Sequence, residues 1–394
     1  MGNIIAYMDK LQATPNRNFF SVNLPGIFLC FIVMIAGIYL ADLIGSAIVK
    51  LQILPEESSS PVSAIFVAIV LGIIIRNVIN IHPIFISGIA FAVKYALRLG
   101  IILLGLRLSL VEALRLGAWG IPLIIACISS GIIVTLYFTS KMKQSKRLGT
   151  LIAGGTGICG VTAIMAISPV IKAKDNEISY AIANITIFGL VSMLFYPFLA
   201  NTFFGDDPIK AGLFLGTAIH DTAQVTGASL IYSQMYDMEK VVNVAMVTKL
   251  TRNLFIIAVI PLISSLFYKS IGGEDVINGS EKRIPKWYKL VPMFVIGFLI
   301  LAFLRTIGDM TLANNGLALG FLDSTSWKAF YSYGSSFGTT YMLGLAMAGV
   351  GLSTSFKSFK GMGLKPFYIG LIAAISVGVV SLTLISLFGH LVFI

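Results

Sequence analysis

Two basic side chains, Lys249 and Arg252, lie within the long apolar segment 240–268. Residues three positions apart share one face of a helix, so both charges point in the same direction. Two like charges on a buried face repel each other unless a negative group lies between them. The pair therefore predicts contact with an anion, or with a structural partner such as Asp221.

A second basic pair, Lys94 and Arg98, lies four positions apart near the middle of the apolar segment 84–110. This spacing also places both side chains on one helix face. Three interpretations stay open: contact with a substrate, pairing with a carboxylate such as Asp221 or Asp42, or extension toward the membrane surface.

A polar cluster follows the apolar run that ends at Ile219. Ionisable residues inside a membrane are costly and usually functional. Because an imidazole changes charge near neutral pH, we expect His220 and Asp221 to carry a coupling proton, and Thr222 and Gln224 to contact the substrate. The alternative is that the segment ends at Ile219 and the cluster is a hydrated loop.

Four glycines crowd the middle of the apolar segment 148–171 and predict a broken helix. A break frees backbone groups, which must face a protein cavity or a ligand, and the second half-helix would direct its N–H groups at an anion. A close helix crossing through small residues is the alternative. The predicted substrate contacts in this segment are Thr156, Gly157, Cys159, Gly160 and Thr162.

The composition places most of the chain in lipid. Hydrophobic residues make up 57% of the 394 residues and charged residues 11%, against roughly 25% charged residues in soluble domains. Apolar runs of about 20 residues, enough to cross a ~30 Å hydrocarbon layer, follow one another. We expect an all-α polytopic membrane protein of one domain, 1–394, with about eleven transmembrane helices at 24–49, 62–80, 84–110, 119–139, 148–171, 178–203, 209–232, 240–268, 289–306, 327–355 and 365–393.

Basic residues are distributed unevenly between the loops. With the N-terminal segment 1–23 in the cytoplasm, sixteen Lys and Arg residues fall on the cytoplasmic side and seven on the other. This bias predicts a bacterial inner-membrane protein with a cytoplasmic N-terminus. It also accounts for the net charge of +11 without a nucleic-acid partner. The orientation treats 209–232 as a full crossing, and a re-entrant segment there is the alternative.

The three cysteines, Cys30, Cys127 and Cys159, lie inside apolar runs without paired spacing. They predict neither a disulfide framework nor a metal site. We expect no cofactor, and the sequence has no ATP-binding loop. The predicted partners are a small anion and the lipid bilayer, and a homodimer is left open.

The sequence contains an internal repeat at a distance of 244 residues. GIILLGLRLSL from Gly100 matches GLAMAGVGLST from Gly344, and the copies extend over 84–139 and 327–393. Seven predicted crossings separate them, so they would have opposite orientations, as in many secondary transporters. Chance similarity of Leu-rich and Gly-rich helices is the alternative. A weaker match, at a distance of 61 residues, aligns the 156–158 region with 217–219.

Four segments resemble those of a known family: KYALRLGIILLGLRLSL from Lys94, GGTGICGVTAI from Gly154, GTAIHDTAQVTGA from Gly216 and VTKLTRN from Val247. In this order they resemble the YeiH-like family of bacterial membrane proteins, whose name assigns them to sulfate export. The resemblance covers nearly the whole chain. It implies a fold related to bile-acid symporters and cation/proton antiporters, with inverted repeats and broken helices that cross at mid-membrane. In that fold a second broken helix would follow 365–393; either 209–232 takes its place or the pairing of repeats is incomplete.

These features predict a secondary transporter of a small anion, with sulfate or a sulfonate as the candidate substrate, in the direction of export and coupled to protons. Sodium coupling stays open. The alternatives are an anion channel and an intramembrane enzyme, in which His220 and Asp221 would act with Cys159 or Thr222 as the nucleophile.

Overall fold

The computed structural model describes residues 19–50, 62–270, 292–356 and 363–392. Most of the predicted cytoplasmic segment 1–23 and the basic loop before residue 292 lie outside these ranges. The helices are α1 Phe19–Lys50, α2 Ala64–Val78, α3 Pro83–Arg107 with a π-helical turn at Ala92–Ala96, α4 Leu110–Lys141, α5 Lys146–Gly157, α6 Val161–Ile167, α7 Asp175–Phe204, α8 Pro208–Ala218, α9 Thr222–Tyr236, α10 Lys240–Leu254, α11 Ile256–Ser270, α12 Met293–Asn315, α13 Ser324–Ser336, a π-helical turn Phe337–Leu343, α14 Gly344–Ser353 and α15 Leu364–Phe388.

The fold class is confirmed: the protein is an all-α polytopic membrane protein. Six helices of the described residues are long and apolar enough to cross a membrane, and the bent pair α10–α11 would be a seventh. Helices coincide with all eleven predicted apolar segments, although α2 is short. Large apolar side chains such as Phe28, Phe195 and Phe303 are more than half exposed, as expected of surfaces that face lipid.

The fifth apolar segment was predicted to cross the membrane, and this prediction is wrong: the segment forms the hairpin α5–α6. The helix does break among the glycines, as expected. The two arms are antiparallel, since Gly154 packs against Ile167. Ser145 at the start of α5 donates a hydrogen bond to Glu177 at the start of α7. The chain therefore leaves the hairpin at the end of the molecule where it entered.

The seventh segment is a second hairpin, α8–α9, so the re-entrant alternative is the correct one. Lys210, near the start of α8, packs against Gly389 just after α15. Near the end of α9, the Tyr232 hydroxyl lies 3.5 Å from Asn201 Oδ1 in the last turn of α7. Hydropathy misled the prediction because two short arms give the same apolar run as one crossing helix. The breaks are tolerated because the arms are buried in protein rather than exposed to lipid.

The hairpins enter from opposite ends of the molecule. We call the end that carries Lys143 end A and the end that carries Asp206 end B. The first hairpin reverses the direction predicted for the next segment, and the second hairpin restores it. Every segment after the second hairpin therefore runs in its predicted direction. Only Lys172 and Lys174 move to end A, and Lys210 moves to end B. Among the described residues outside the middle of the helices, nine basic residues then lie at end A and six at end B, and the expectation that end A is cytoplasmic stays a prediction.

The helices form two bundles. The hairpin bundle contains α4 to α11 and α15, and α15 packs against α4, α7 and α8. The flanking bundle contains α1 to α3 and α12 to α14, and α14 packs against α1 and α2. Gly72 and Gly351 meet where α2 and α14 pack, and a Cβ on either residue would overlap the backbone of the other helix.

Polar contacts join the two bundles at end B. Ser63 Oγ, at the start of α2, lies 2.7 Å from Gln234 Oε1 near the end of α9. Arg107, at the end of α3, forms an ion pair of 3.2 Å with Glu239, which precedes α10. These contacts hold the bundles together at this end.

The two copies of the 244-residue repeat pack against each other within this arrangement. Each copy contains a π-helical turn, and the two turns lie at nearly equivalent positions. Gly100 packs against Leu343, whereas Leu106 packs against Gly334. The contacting segments therefore run in opposite directions.

Cysteine labelling tests the two hairpins. We expect Lys143→Cys and Lys174→Cys to react with a membrane-impermeant maleimide from one side, and Asp206→Cys and Asp237→Cys from the other. All four positions are exposed. If 143 and 174 label from opposite sides, α5–α6 crosses the membrane; if 206 and 237 do, α8–α9 crosses it. The unsubstituted chain is the control, because its cysteines are buried.

Candidate functional site

The tips of the two hairpins meet in the interior and are held by the two cations of α10. Lys249 Nζ donates hydrogen bonds to the carbonyl oxygens of Ile158 at 3.2 Å and Ile219 at 3.0 Å, and also to that of His220. An ammonium group has three donors, so its capacity is filled. One side chain thus joins the last carbonyls of α5 to those of α8.

Arg252 makes the same kind of connection one turn further along α10. Its guanidinium donates to the carbonyl of Thr156 at 2.7 Å, to that of Gly157 at 3.0 and 3.2 Å, and to that of Thr217. The carbonyls of 156 and 217, and those of 158 and 219, are the positions that the 61-residue match aligns. Each cation therefore binds an equivalent pair of carbonyls, one from each hairpin.

Both cations are completely buried, and neither has an ion-pair partner among the described residues. Their charge is compensated by dipoles instead. The C-terminal ends of α5 and α8 carry unsatisfied carbonyls and partial negative charge, and both ends point at the cations. We call this arrangement the tip clamp: Lys249, Arg252 and the carbonyls they bind.

Asp221 and Gly160 form the direct contact between the tips. Gly160 has φ +66°, a conformation that disfavours a side chain, and a Cβ there would lie 2.9 Å from Asp221 Oδ2. The Asp221 carboxylate accepts the backbone N–H of Ala223 at 2.9 Å and caps α9. Glycine is therefore required at position 160 for two reasons: the backbone conformation disfavours a side chain, and Asp221 occupies the space that a Cβ would need.

His220 lies on the other side of the tips from Asp221, in a closed interior. The side chain is fully buried and faces the backbone of Thr156, but neither ring nitrogen meets hydrogen-bond geometry with a described residue. The Thr156 hydroxyl is also unpaired among the described residues. Buried polar groups of this kind usually bind an internal water molecule.

A cavity of about 390 Å³ separates the hairpin tips from the flanking bundle. On the side of the hairpin bundle, Thr162, Asp221, Thr222 and Gln224 supply polar groups. The opposite wall carries Lys94 and Arg98 at the middle of α3, with Ser353 and Thr354 at the end of α14. The cavity extends toward end A, where α12 begins and α14 ends.

The structure divides the sequence-predicted residues into two groups. Those in and behind the tip clamp, which do not line the cavity, are Thr156, Gly157, Gly160, His220, Lys249 and Arg252. Those lining the cavity are Lys94, Arg98, Cys159, Thr162, Asp221, Thr222 and Gln224. The expected contact of Lys249 and Arg252 with an anion stays a prediction, because their donors are occupied by carbonyls here.

The predicted site residues leave out four polar residues of the cavity wall: Thr186, Asn253, Ser353 and Thr354. Asn253 donates to Thr222 Oγ1 at 3.1 Å and so positions that hydroxyl. The signal for Ser353 was present, because it ends the repeated motif. Thr186 gives only a weak signal, since single hydroxyls in apolar helices often bond their own backbone, as Thr186 does with the carbonyl of Ile182.

The family model described as conserved hypothetical protein 698 matches residues 25–370. The chain belongs to this family. It is 30% identical over 374 residues to the UPF0324 membrane protein SAG1125 of Streptococcus agalactiae, which covers 94% of this chain and 99% of that protein. It is 32% identical over 366 residues to a UPF0324 membrane protein of Bacillus cereus, with 93% and 95% covered. The resemblance to the YeiH-like family fits these matches, and the chain is a multi-pass membrane protein.

Removing either cation of the tip clamp should destabilise the protein. Lys249→Met leaves three buried carbonyls without a donor, at about 1–3 kcal/mol each, offset in part because a charge is no longer buried. We expect a net loss of about 2–5 kcal/mol for Lys249→Met and Arg252→Met, measured as a lower midpoint of thermal unfolding. The control is Lys240→Met, which changes an exposed residue of the same helix. Unchanged midpoints with lost anion binding would instead support direct contact with the anion.

Proposed function

We propose that the protein is a secondary transporter of a small anion in the bacterial inner membrane, with its N-terminus in the cytoplasm. The observation that carries this proposal is the cavity between the two bundles. Lys94 and Arg98 lie at mid-depth in a helix that spans the membrane, and both face that cavity. Charged residues at this depth are expensive unless they serve a hydrated substrate path.

The two hairpins support a carrier rather than a channel. They enter from opposite ends and meet at mid-membrane, which is the arrangement that inverted repeats produce around a central substrate site. The cavity extends toward end A, while the contacts of Gln234 and Glu239 close end B. This geometry fits one state of an alternating-access cycle, open toward the cytoplasm.

Asp221 is the better candidate for coupling to a proton. Its carboxylate lines the cavity and lies at the junction of the two tips, so a change in its charge acts on the anion site directly. His220 is buried beside Lys249 and Arg252, which repel an additional positive charge. We therefore assign the coupling proton to Asp221 and a positioning role at the tips to His220.

Transport by purified protein in vesicles tests the proposal. We expect saturable exchange of a labelled anion and accumulation driven by a proton gradient. Unitary currents in planar bilayers would support a channel instead, and chemical conversion of the anion without a gradient would support an enzyme. Asp221→Asn should keep exchange but lose proton-driven accumulation. Accumulation at the level of the unsubstituted protein would exclude Asp221 as the coupling group.

Arg98 should be required for anion binding but not for folding. We expect Arg98→Gln to weaken the binding of a test anion at least tenfold, because a cation of the cavity wall is lost, while the thermal midpoint changes little. Arg115→Gln, an exposed arginine outside the cavity, is the matched control. Equal affinities for the two variants would contradict the assignment of the anion to this cavity.

A disulfide across end B should stop the transport cycle. Ser63→Cys combined with Gln234→Cys would link the bundles where their side chains now touch at 2.7 Å. We expect an oxidant to block transport and a reductant to restore it, since alternating access requires this end to open. The two single variants control for effects of the oxidant alone. Full transport by the cross-linked protein would show that the bundles do not separate at end B.

A further inference from the structure

The ionisable side chains that line the cavity carry a net charge of +1 when Asp221 is ionised. Lys94 and Arg98 contribute two positive charges and Asp221 contributes one negative charge. Lys249 and Arg252 lie outside the lining, and their donors are used by carbonyls. The side chains of Lys94 and Arg98 are exposed, so their charges are screened, and Coulomb attraction within the cavity favours a ligand that brings its net charge to zero. With Asp221 ionised, a monoanion achieves this neutrality, whereas a dianion such as sulfate achieves it only when Asp221 is protonated.

A large part of the cavity wall is apolar. Leu97 and Ile101 of α3, Phe294 of α12, Val350 of α14 and Ile256 of α11 contribute hydrocarbon surface. These side chains offer no hydrogen bonds to replace the water shell of an inorganic oxyanion. They fit a ligand that is itself partly apolar, as in most small-molecule sites, where a few polar groups orient an otherwise apolar ligand.

The size of the cavity agrees with its chemistry. A volume of about 390 Å³ lies within the range of roughly 300–1,000 Å³ that is typical of small-molecule pockets. A bare oxyanion would occupy a small part of this space and leave water against the apolar wall. An organic anion with several carbon atoms would fill more of it and bury that wall.

We propose that the substrate is an organic monoanion with a short apolar segment, such as a small alkylsulfonate, rather than inorganic sulfate. The anionic group binds between Arg98 and the hydroxyls of Thr162 and Thr222, and the hydrocarbon segment packs against Leu97 and Phe294. This assignment rests on the proposed function, because it takes the cavity to be the transport site. Both bundles contribute to the head-group site, the flanking bundle through Arg98 and the hairpin tips through Thr162 and Thr222, whereas the tail contacts the flanking bundle.

A series of anions with one head group and increasing tail length tests the assignment. We would measure calorimetrically the affinity of protein in lipid nanodiscs for sulfate, methanesulfonate, propanesulfonate and pentanesulfonate. The expected result is that methanesulfonate binds more tightly than sulfate, and that each added methylene lowers Kd roughly two- to fourfold. Sulfate as the tightest ligand, or an affinity independent of tail length, would overturn the assignment.

Variants separate failure of this assignment from failure of the proposed function. Phe294→Ala should reduce the gain in affinity per methylene, and Leu97→Ala provides a second test on another helix. The matched control is Phe303→Ala, which changes a phenylalanine of α12 that is 52% exposed and lies outside the cavity. Binding that depends on Arg98 but not on tail length would overturn the substrate class alone. Absence of any binding that depends on Arg98 would overturn the anion site as well.

Discussion

The structure depends on two buried cations, each of which binds an equivalent pair of backbone carbonyls, one from each hairpin. Lys249 and Arg252 bind the last carbonyls of α5 and of α8, so one short stretch of α10 fixes both hairpin tips. Without these donors, two broken helices would end in the membrane interior with unsatisfied carbonyls, which is costly where no water is available. The cations and the helix ends stabilise each other, because the partial negative charge of the two helix C-termini compensates the buried positive charges.

The clamp also determines where the polar groups of the tips can go. Because the carbonyls of both tips point toward α10, Asp221, Thr222 and Gln224 are left on the side of the cavity. The hairpin bundle thus presents a fixed polar surface, and the flanking bundle presents Lys94 and Arg98 across a gap. The two surfaces make contacts at end B and enclose a cavity toward end A. This division into a polar surface and a separate facing wall is compatible with the alternating access that we propose.

Sequence reasoning selected residues that the structure brings close together, but it did not predict their partners. Lys249 and Arg252 were identified by charge and spacing, and an anion was the natural expectation for two cations on one face. The actual partners are main-chain carbonyls, which leave no trace in side-chain chemistry. The fifth and seventh segments failed as crossings for a related reason: hydropathy measures the length of an apolar run but not the direction in which the chain leaves it.

The sequence by itself determined the all-α membrane class, the positions of the apolar segments, the break among the glycines and the internal repeat, because these follow from local composition and spacing. The tertiary structure decided that the two broken segments return, that their tips meet, and that Lys94 and Arg98 face Asp221 across one cavity. These features depend on contacts between residues in different elements, many of them distant in the sequence. Lys249 and Ile158, for example, are 91 positions apart. Only the packed chain brings such groups within reach of one another, and their positions in the sequence do not encode that distance.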